Sequence, residues 1–232
     1  MFATLGGILL GLVVGVRHAF EPDHLAAVST MVTDGRDGRD PRGARRGALV
    51  GAVWGLGHTL ALVIVGIAML AAGALVPAAI ERGLEAAVAV MLVGLGVRAL
   101  VLAARDGKRG PIAPHAHGHA RHAHAAPDGG HVHVGETTLA WRPLAIGLVH
   151  GLAGSGGLTA LVFAELPSNA ARVVYMVLFG AGSIAGMAIA SGLAGLSLAR
   201  VARGPEAMRR IGALAGALSI IVGIAWGAPL VA

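Results

Sequence analysis

The feature that most constrains this chain is a series of apolar stretches, each long enough to span a membrane as a helix. Six stretches of roughly 20 apolar residues lie near 3–32, 47–72, 84–104, 139–163, 171–199 and 208–231. Hydrophobic residues make up 56% of the chain and charged residues 13%, whereas a soluble domain carries about 25% charged residues. A backbone in lipid has to satisfy its own hydrogen bonds, which favours helices. The sequence therefore predicts an all-α polytopic membrane protein with six transmembrane helices.

A polar motif interrupts the first apolar stretch. Residues 17–24 read RHAFEPDH, between the uncharged segments 2–16 and 25–32. An ionisable side chain near the bilayer centre costs roughly 2.5–3.5 kcal/mol, so such groups have to be paired, hydrated or bound to a ligand. Imidazoles and carboxylates are ligands of divalent transition metals. The motif indicates a metal path through the membrane; the alternative is a solvated helix end at the cytoplasmic interface.

Pro22 gives this interruption a mechanism. Proline lacks an amide hydrogen, and its ring collides with the carbonyl four residues earlier, which belongs to His18. In an unbroken helix His18, Asp23 and His24 would point in directions of about 0°, 140° and 240°, at about 100° per residue. A kink or an unwound turn is needed to bring them to one ion. The sequence therefore predicts a broken helix, with Glu21 as a further ligand or a proton-coupled carboxylate.

Two more histidines lie within apolar stretches. His58 is close to the middle of the second predicted span, between Gly57 and Thr59. It is either a metal ligand or a hydrogen-bonding residue between helices. His150 precedes the glycine-rich segment 151–157 of the fourth span, where it could ligate a metal or satisfy freed carbonyls. The candidate metal ligands are His18, Glu21, Asp23, His24, His58 and His150.

Aligning His18 with His150 indicates an internal repeat. GVRHAFEPDHLAAV is set beside GLVHGLAGSGGLTALV, and Gly57-His58-Thr59 resembles Gly182-Ser183. Two halves of three helices each have opposite orientations in the membrane, because three is odd. We therefore expect a first three-helix half at 1–104, a cytoplasmic loop at 105–138 and an inverted second half at 139–232.

The arginine distribution predicts the orientation. Segments 33–46, 98–142 and 200–210 hold 5, 6 and 4 Lys/Arg residues, whereas the connections on the other side hold only Arg82. By the positive-inside rule the first set is cytoplasmic and both termini are outside. The expected location is the bacterial inner membrane.

Close packing of the helices is expected from glycines four residues apart, at 7, 11 and 15, at 47, 51 and 55, and at 182 and 186.

The cytoplasmic loop contains a histidine-rich segment. Residues 115–133 hold seven of the eleven histidines in the chain. Such tracts bind Zn, Ni or Cu, and the Gly, Pro and Ala around them predict a flexible loop. The segment is either a metal buffer or sensor, or a linker between the halves.

With aromatic residues at 3% and arginines in short connections, the basic composition does not indicate nucleic-acid binding.

The motif, followed by GLGHT in the second span and HGLAGSGGLTAL in the second half, resembles the NicO superfamily of nickel/cobalt transporters, in particular its shorter, UreH-like branch. The nickel permeases of that family carry H-A-x-D-A-D-H, which aligns with His18, Ala19, Glu21, Pro22, Asp23 and His24. The resemblance implies that His18, Asp23 and His24 lie on the ion path, with His58 as the second-span histidine. Glu21-Pro22 replaces Asp-Ala, and six spans replace eight.

The resulting prediction is a transporter, not an enzyme, that moves Ni²⁺ or Co²⁺ and holds no prosthetic group. Import and export both stay open, as do Fe and Zn as cargo. Its partners would be the metal ion, the lipid bilayer and a cytoplasmic metallochaperone. Two further alternatives are an intramembrane serine protease using Ser155 with His58, and an anion exporter, which buried Glu21 and Asp23 disfavour.

Overall fold

The computed structural model describes residues 2–33, 43–72, 77–106, 115–117, 120–122, 131–134, 137–153, 166–202 and 204–231. The helices are α1 (Phe2–His18), α2 (Pro22–Thr33), α3 (Gly43–Ala72), α4 (Ala78–Asp106), α5 (Arg142–Ala153), α6 (Asn169–Val201) and α7 (Pro205–Val231). Strands β1 (His115–His117) and β2 (Ala120–His122) pair antiparallel, as do β3 (His131–Val134) and β4 (Thr137–Ala140). Within these ranges, the described parts of the predicted membrane spans are helical apart from residues 19–21 and 139–141, and the strands lie between α4 and α5.

Four of the described helices are long and apolar enough to cross a bilayer, at Gly43–Ala72, Ala78–Arg105, Asn169–Val201 and Pro205–Leu230. They correspond to the second, third, fifth and sixth predicted spans. The first predicted span is divided into α1 and α2, of 17 and 12 residues. The fourth contains α5, and its residues 154–163 lie outside the described residues. The six-span arrangement therefore stays a prediction.

Two local features differ from the sequence-based expectation. Helix α5 begins at Arg142 rather than at 139, because residues 137–140 pair with β3. Pro143 then lies in the first turn, where its missing amide hydrogen breaks no helical bond. The histidine-rich segment, expected to be a flexible loop, contains β1, β2 and most of β3, and β4 follows it. Strands β3 and β4 are rich in β-branched residues, which favour strands.

Several helix starts follow from their first residues. Pro22 and Pro205 are the first residues of α2 and α7, where proline has a suitable φ and no amide hydrogen is needed. Ser168 caps α6, its side chain accepting a hydrogen bond from the Ala171 amide at 3.2 Å. At the start of α7, Glu206 accepts hydrogen bonds from Arg209 and Arg210.

The helices approach one another through glycines. Helix α3 packs along α6 and against α5, α1 packs against α6, and α4 packs along α7. A Cβ atom at any of the following positions would meet backbone or side-chain atoms of a partner helix within 3 Å: Gly11, Gly15, Gly47, Gly51, Gly55, Gly182 and Gly186. The packing role predicted for these spaced glycines is confirmed; the surroundings of Gly7 lie outside the described residues.

The outer surface and the interior of the described bundle differ in kind. Large apolar side chains face outward on several helices, among them Val13, Ile64, Val90, Val177 and Leu214. Such a surface suits contact with lipid. The interior holds large side chains such as Trp54, Leu92 and Met187, each 0% exposed, together with buried histidines.

Candidate functional site

The helix is interrupted where α1 ends. Helix α1 ends at His18 and α2 begins at Pro22. The Phe20 amide donates to the Arg17 carbonyl at 3.0 Å, and the Glu21 amide donates to the His18 carbonyl at 3.0 Å. The carbonyl that Pro22 cannot bond is thus satisfied by a tighter, three-residue turn. This turn separates His18 from Asp23 and His24, so they no longer follow the wheel of one continuous helix.

Five of the candidate residues come together in the interior. His18 ends α1, Asp23 and His24 begin α2, His58 is on α3, and His150 is on α5. Their exposed fractions are 3%, 2%, 0%, 0% and 0%, respectively. They include every histidine that the chain has outside the segment 115–133. Four helices therefore bring four imidazoles and one carboxylate into one buried cluster.

The imidazole rings are in direct contact. The His24 ring centroid lies 4.3 Å from that of His18 and 4.3 Å from that of His150. The His58 centroid lies 5.1 Å from His18, 5.3 Å from His24 and 6.0 Å from His150. The Nε2 atoms of His18 and His58 are 3.2 Å apart. At these distances, ring nitrogens from several helices can reach one ion.

Carboxylates orient three of the rings. His18 Nδ1 lies 2.9 Å from Glu21 Oε2, and His24 Nδ1 lies 3.2 Å from Asp23 Oδ1. His150 Nε2 lies 2.7 Å from the other Asp23 oxygen. When each of these ring nitrogens donates to a carboxylate, the opposite nitrogen carries a lone pair. Carboxylate–histidine pairs of this kind orient ligands in metal sites.

Several of the buried ring nitrogens are not satisfied by protein. Among the residues that the structure describes, His24 Nε2, His58 Nδ1 and His150 Nδ1 have no hydrogen-bond partner. A buried polar atom without a partner costs about 1–3 kcal/mol. Two groups have the geometry of a metal site, with ligand atoms within 4.8 Å of one another: His18, His24 and His58, and Asp23, His24 and His150. The cluster is therefore suited chemically to hold a divalent cation.

Glycines let α5 approach α3 beside the cluster. A Cβ atom at Gly57 would collide with the Leu144 carbonyl oxygen, and one at Gly147 with the Trp54 carbonyl oxygen. Gly151 likewise faces the His58 carbonyl oxygen. The crossing of the two helices thus sets the distance between His58 and His150.

Two aromatic residues that sequence reasoning did not select border the cluster. The Trp54 ring centroid lies 5.3 Å from His24 and 5.8 Å from His150, and the Phe179 centroid lies 5.4 Å from His18. Trp54 precedes His58 by one helical turn of α3, a spacing that could have indicated it. No comparable signal pointed to Phe179, which α6 brings from the far half of the sequence.

The other predictions for individual residues have different outcomes. Glu21 lies at its edge, with a side chain 45% exposed. His150 lies inside α5 and contacts the Asp23 carboxylate, rather than a freed backbone carbonyl. Ser155, the candidate nucleophile of the protease alternative, lies outside the described residues, as do the side chains of the histidine-rich segment.

Comparison with known proteins agrees with this chemistry. Residues 4–224 match the NicO family, described as high-affinity nickel-transport protein. The urease accessory protein UreH of Bacillus sp. (strain TB-90) is 29% identical over 223 residues, which cover 94% of this chain and 88% of UreH. No solved structure matches the chain significantly.

The family match spans nearly the whole chain and includes all the residues of the cluster. NicO proteins are transporters and not enzymes, which sets aside the protease alternative. Together with the four long apolar helices, the match identifies an integral membrane protein. This chain belongs to the NicO family of nickel transporters.

Proposed function

We propose that this protein carries Ni²⁺ or Co²⁺ across the membrane through the buried histidine and aspartate cluster at the broken helix. The observation that supports it most is the convergence of His18, His24, His58 and His150 on Asp23 with at most 3% exposure. A structural core has no use for four buried imidazoles, three of which have a ring nitrogen without a partner among the described residues. A path for a partly dehydrated cation needs them, because they replace the lost water ligands.

The ligand types favour this cargo. Imidazole nitrogen suits Ni²⁺, Co²⁺, Zn²⁺ and Fe²⁺, whereas Mg²⁺ and Ca²⁺ prefer oxygen. The chain has no cysteine, so thiolate ligands for softer ions are absent. His18, His24, His58 and His150 would offer neutral nitrogen, and Asp23 would compensate part of the positive charge. Glu21, half exposed beside His18, would meet the ion at the edge of the cluster.

Repeated contacts support two related halves around this site. Gly15 of α1 faces the Phe179 carbonyl and the Ser183 amide of α6. In the same way, Gly147 of α5 faces the Trp54 carbonyl and the His58 amide of α3. These are equivalent positions when His18 is aligned with His150 and Gly57 with Gly182.

The reverse contacts repeat in the same way. Gly182 faces Leu12 and Val16 of α1. Its counterpart Gly57 faces Leu144 and Leu148 of α5.

Aromatic contacts follow the same correspondence. His18 lies against Phe179, and its counterpart His150 lies against Trp54, the counterpart of Phe179. These pairs support the inverted repeat proposed from the sequence, with halves at 1–104 and 139–232 and a cytoplasmic loop at 105–138. The site would then lie where broken helices of the two halves meet, as in other transporters with inverted repeats.

The proposal places the protein in the bacterial inner membrane with both termini outside, from the arginine distribution. A cytoplasmic metallochaperone would exchange metal with the loop side.

Transport by the purified protein in liposomes tests the proposal. We expect uptake of Ni²⁺ or Co²⁺, with competition by the other ion and little competition by Mg²⁺. The variant His24→Ala should be inactive, and Ser219→Ala, whose hydroxyl donates to the Leu92 carbonyl at 2.8 Å in another part of the bundle, should be active. Equal metal flux in the His24→Ala and unsubstituted proteins would contradict the proposal.

A further inference from the structure

We infer that the transported ion occupies two alternative positions inside the cluster and that His24 is a ligand in both. The inference rests on the proposed transport function. It concerns which of the six candidate ligands bind the ion at each position, and not which ion is carried.

The first position is bounded by imidazoles alone. His18, His24 and His58 offer ligand atoms within 4.8 Å of one another, and the Nε2 atoms of His18 and His58 are 3.2 Å apart. Glu21 holds His18 through its Nδ1 atom at 2.9 Å, so the His18 Nε2 lone pair is directed to this group. An ion here would have an all-nitrogen protein environment.

The second position includes a carboxylate. Asp23, His24 and His150 form the other group within 4.8 Å, and His150 Nε2 lies 2.7 Å from Asp23 Oδ2. Trp54 covers this side, with its ring 5.3 Å from His24 and 5.8 Å from His150. An ion here would have a mixed nitrogen and oxygen environment and a formal negative charge as a direct ligand.

His24 is the residue that the two groups share. Its ring centroid is 4.3 Å from both His18 and His150, the residues that correspond in the two halves. Its Nδ1 atom faces Asp23 at 3.2 Å, whereas its Nε2 atom has no partner among the described residues. His24 thus belongs to both groups, with one ring nitrogen beside Asp23 and the other without a described partner.

Only one of the positions can be filled at a time. A neutral imidazole has a single nitrogen lone pair, so His24 can ligate through Nε2 or Nδ1, but not both. Two divalent cations sharing this buried cluster would also repel each other strongly. A shared ligand would let one ion pass between weaker, adjacent positions without losing all its ligands, which is the requirement for conduction rather than storage.

Cobalt binding to the purified, full-length protein tests the inference. The parent protein carries serine in place of the seven histidines of segment 115–133, so that only the membrane cluster binds Co²⁺. The variant His58→Gln removes a ligand that belongs only to the first position. His150→Gln removes a ligand that belongs only to the second. His24→Gln removes the shared ligand, and Ser219→Ala is the matched control for a buried polar substitution.

We expect the parent, His58→Gln, His150→Gln and Ser219→Ala to bind one Co²⁺ per chain each, and His24→Gln to bind none. The visible spectra of the cobalt complexes should differ between the two single-position variants, and X-ray absorption should detect the additional oxygen ligand in His58→Gln. Both of these variants should lose transport at least tenfold while they retain binding. Identical size-exclusion profiles and helical circular dichroism establish that each variant is folded.

Other results would overturn the inference. The cluster has a single site if either folded single-position variant loses stoichiometric binding, or if both variants have the same cobalt spectrum. Two Co²⁺ ions bound to the parent means two independent sites, and one Co²⁺ bound to His24→Gln means that His24 is not shared. If a variant does not fold, His18→Gln replaces His58→Gln and Asp23→Asn replaces His150→Gln. A parent that binds Co²⁺ in these patterns but moves no divalent metal would refute the transport function alone.

Discussion

His18 and His150, which come from helices α1 and α5 in opposite halves of the chain, lie at the same distance from His24, with ring centroids 4.3 Å away in each case. Each also packs against an aromatic residue, Phe179 for His18 and Trp54 for His150. The surroundings of the two histidines differ in their polar contacts: Glu21 holds His18, and Asp23 holds His150. The two histidines that flank His24 thus have different carboxylate partners.

Substitution of the cluster should abolish transport without preventing membrane insertion. We expect His18→Ala, Asp23→Asn and His24→Ala each to remove metal uptake, because a dehydrated ion needs several ligands at once. His58→Ala should be nearly as severe. Uptake of Ni²⁺ or Co²⁺ is measured in liposomes with equal amounts of each purified variant.

Glu21→Gln should have a smaller effect than these substitutions. Glu21 orients His18 from the edge of the cluster, and its side chain is 45% exposed. Removing such an orienting partner typically reduces metal affinity or activity by about 10–100-fold, and we expect the lower end of that range.

A His18/His24 double variant that transports at the unsubstituted rate would refute the role of the whole cluster.

Gly147→Ala should separate α5 from α3 and displace His150 from His58. The new methyl group would collide with the Trp54 carbonyl oxygen, whereas Gly94 has nothing within 4 Å of the equivalent Cβ position. Overpacking costs about 1–3 kcal/mol, so Gly147→Ala should melt at a lower temperature in detergent and lose transport. Gly94→Ala should be neutral or slightly stabilising, since alanine favours helix over glycine by up to about 1 kcal/mol. Equal stability of the two variants would mean that the helices do not depend on this close approach.

Labelling of single cysteines tests the orientation. The chain has no cysteine, so Ala120→Cys and Ala3→Cys each introduce one reactive site. From the positive-inside rule, position 120 should be cytoplasmic and position 3 external. In intact cells a membrane-impermeant reagent should label Ala3→Cys and leave Ala120→Cys unlabelled; the reverse pattern would invert the topology.

Deletion of 115–133 tests whether the histidine-rich segment belongs to the ion path. We expect fewer metal ions bound per chain at equilibrium and transport largely unchanged, because the proposed path lies in the helical bundle. Equilibrium dialysis and liposome uptake measure the two quantities on the same preparations. If the deletion stops flux as completely as His18→Ala, with equal protein in the membrane, the segment is part of the path.

Composition and the length of the apolar stretches were enough to predict helices of membrane-spanning length, because lipid leaves the backbone few other ways to satisfy its hydrogen bonds. Pro22 was enough to predict an interruption next to His18, because the missing amide hydrogen and the ring clash are local effects. The spacing of the glycines predicted close helix packing for the same kind of local reason. The boundary of α5 and the short strands at 115–140 were not predicted, because the Gly, Pro and Ala around the histidines indicated a flexible loop, although the strands pair with neighbours in the sequence.

The sequence by itself determined which residues could ligate a metal: four histidines and two carboxylates in apolar surroundings are costly unless they are used. Only the tertiary structure decided which of these residues are in contact with one another. The turn at 19–21, the close crossing of α3 and α5 at Gly57 and Gly147, and the contact of α6 with α1 set which imidazoles touch. Those distances arise from packing between helices far apart in sequence, and no local pattern encodes them. The carboxylate of Asp23 holds His24 and His150 together because α2 and α5 meet there.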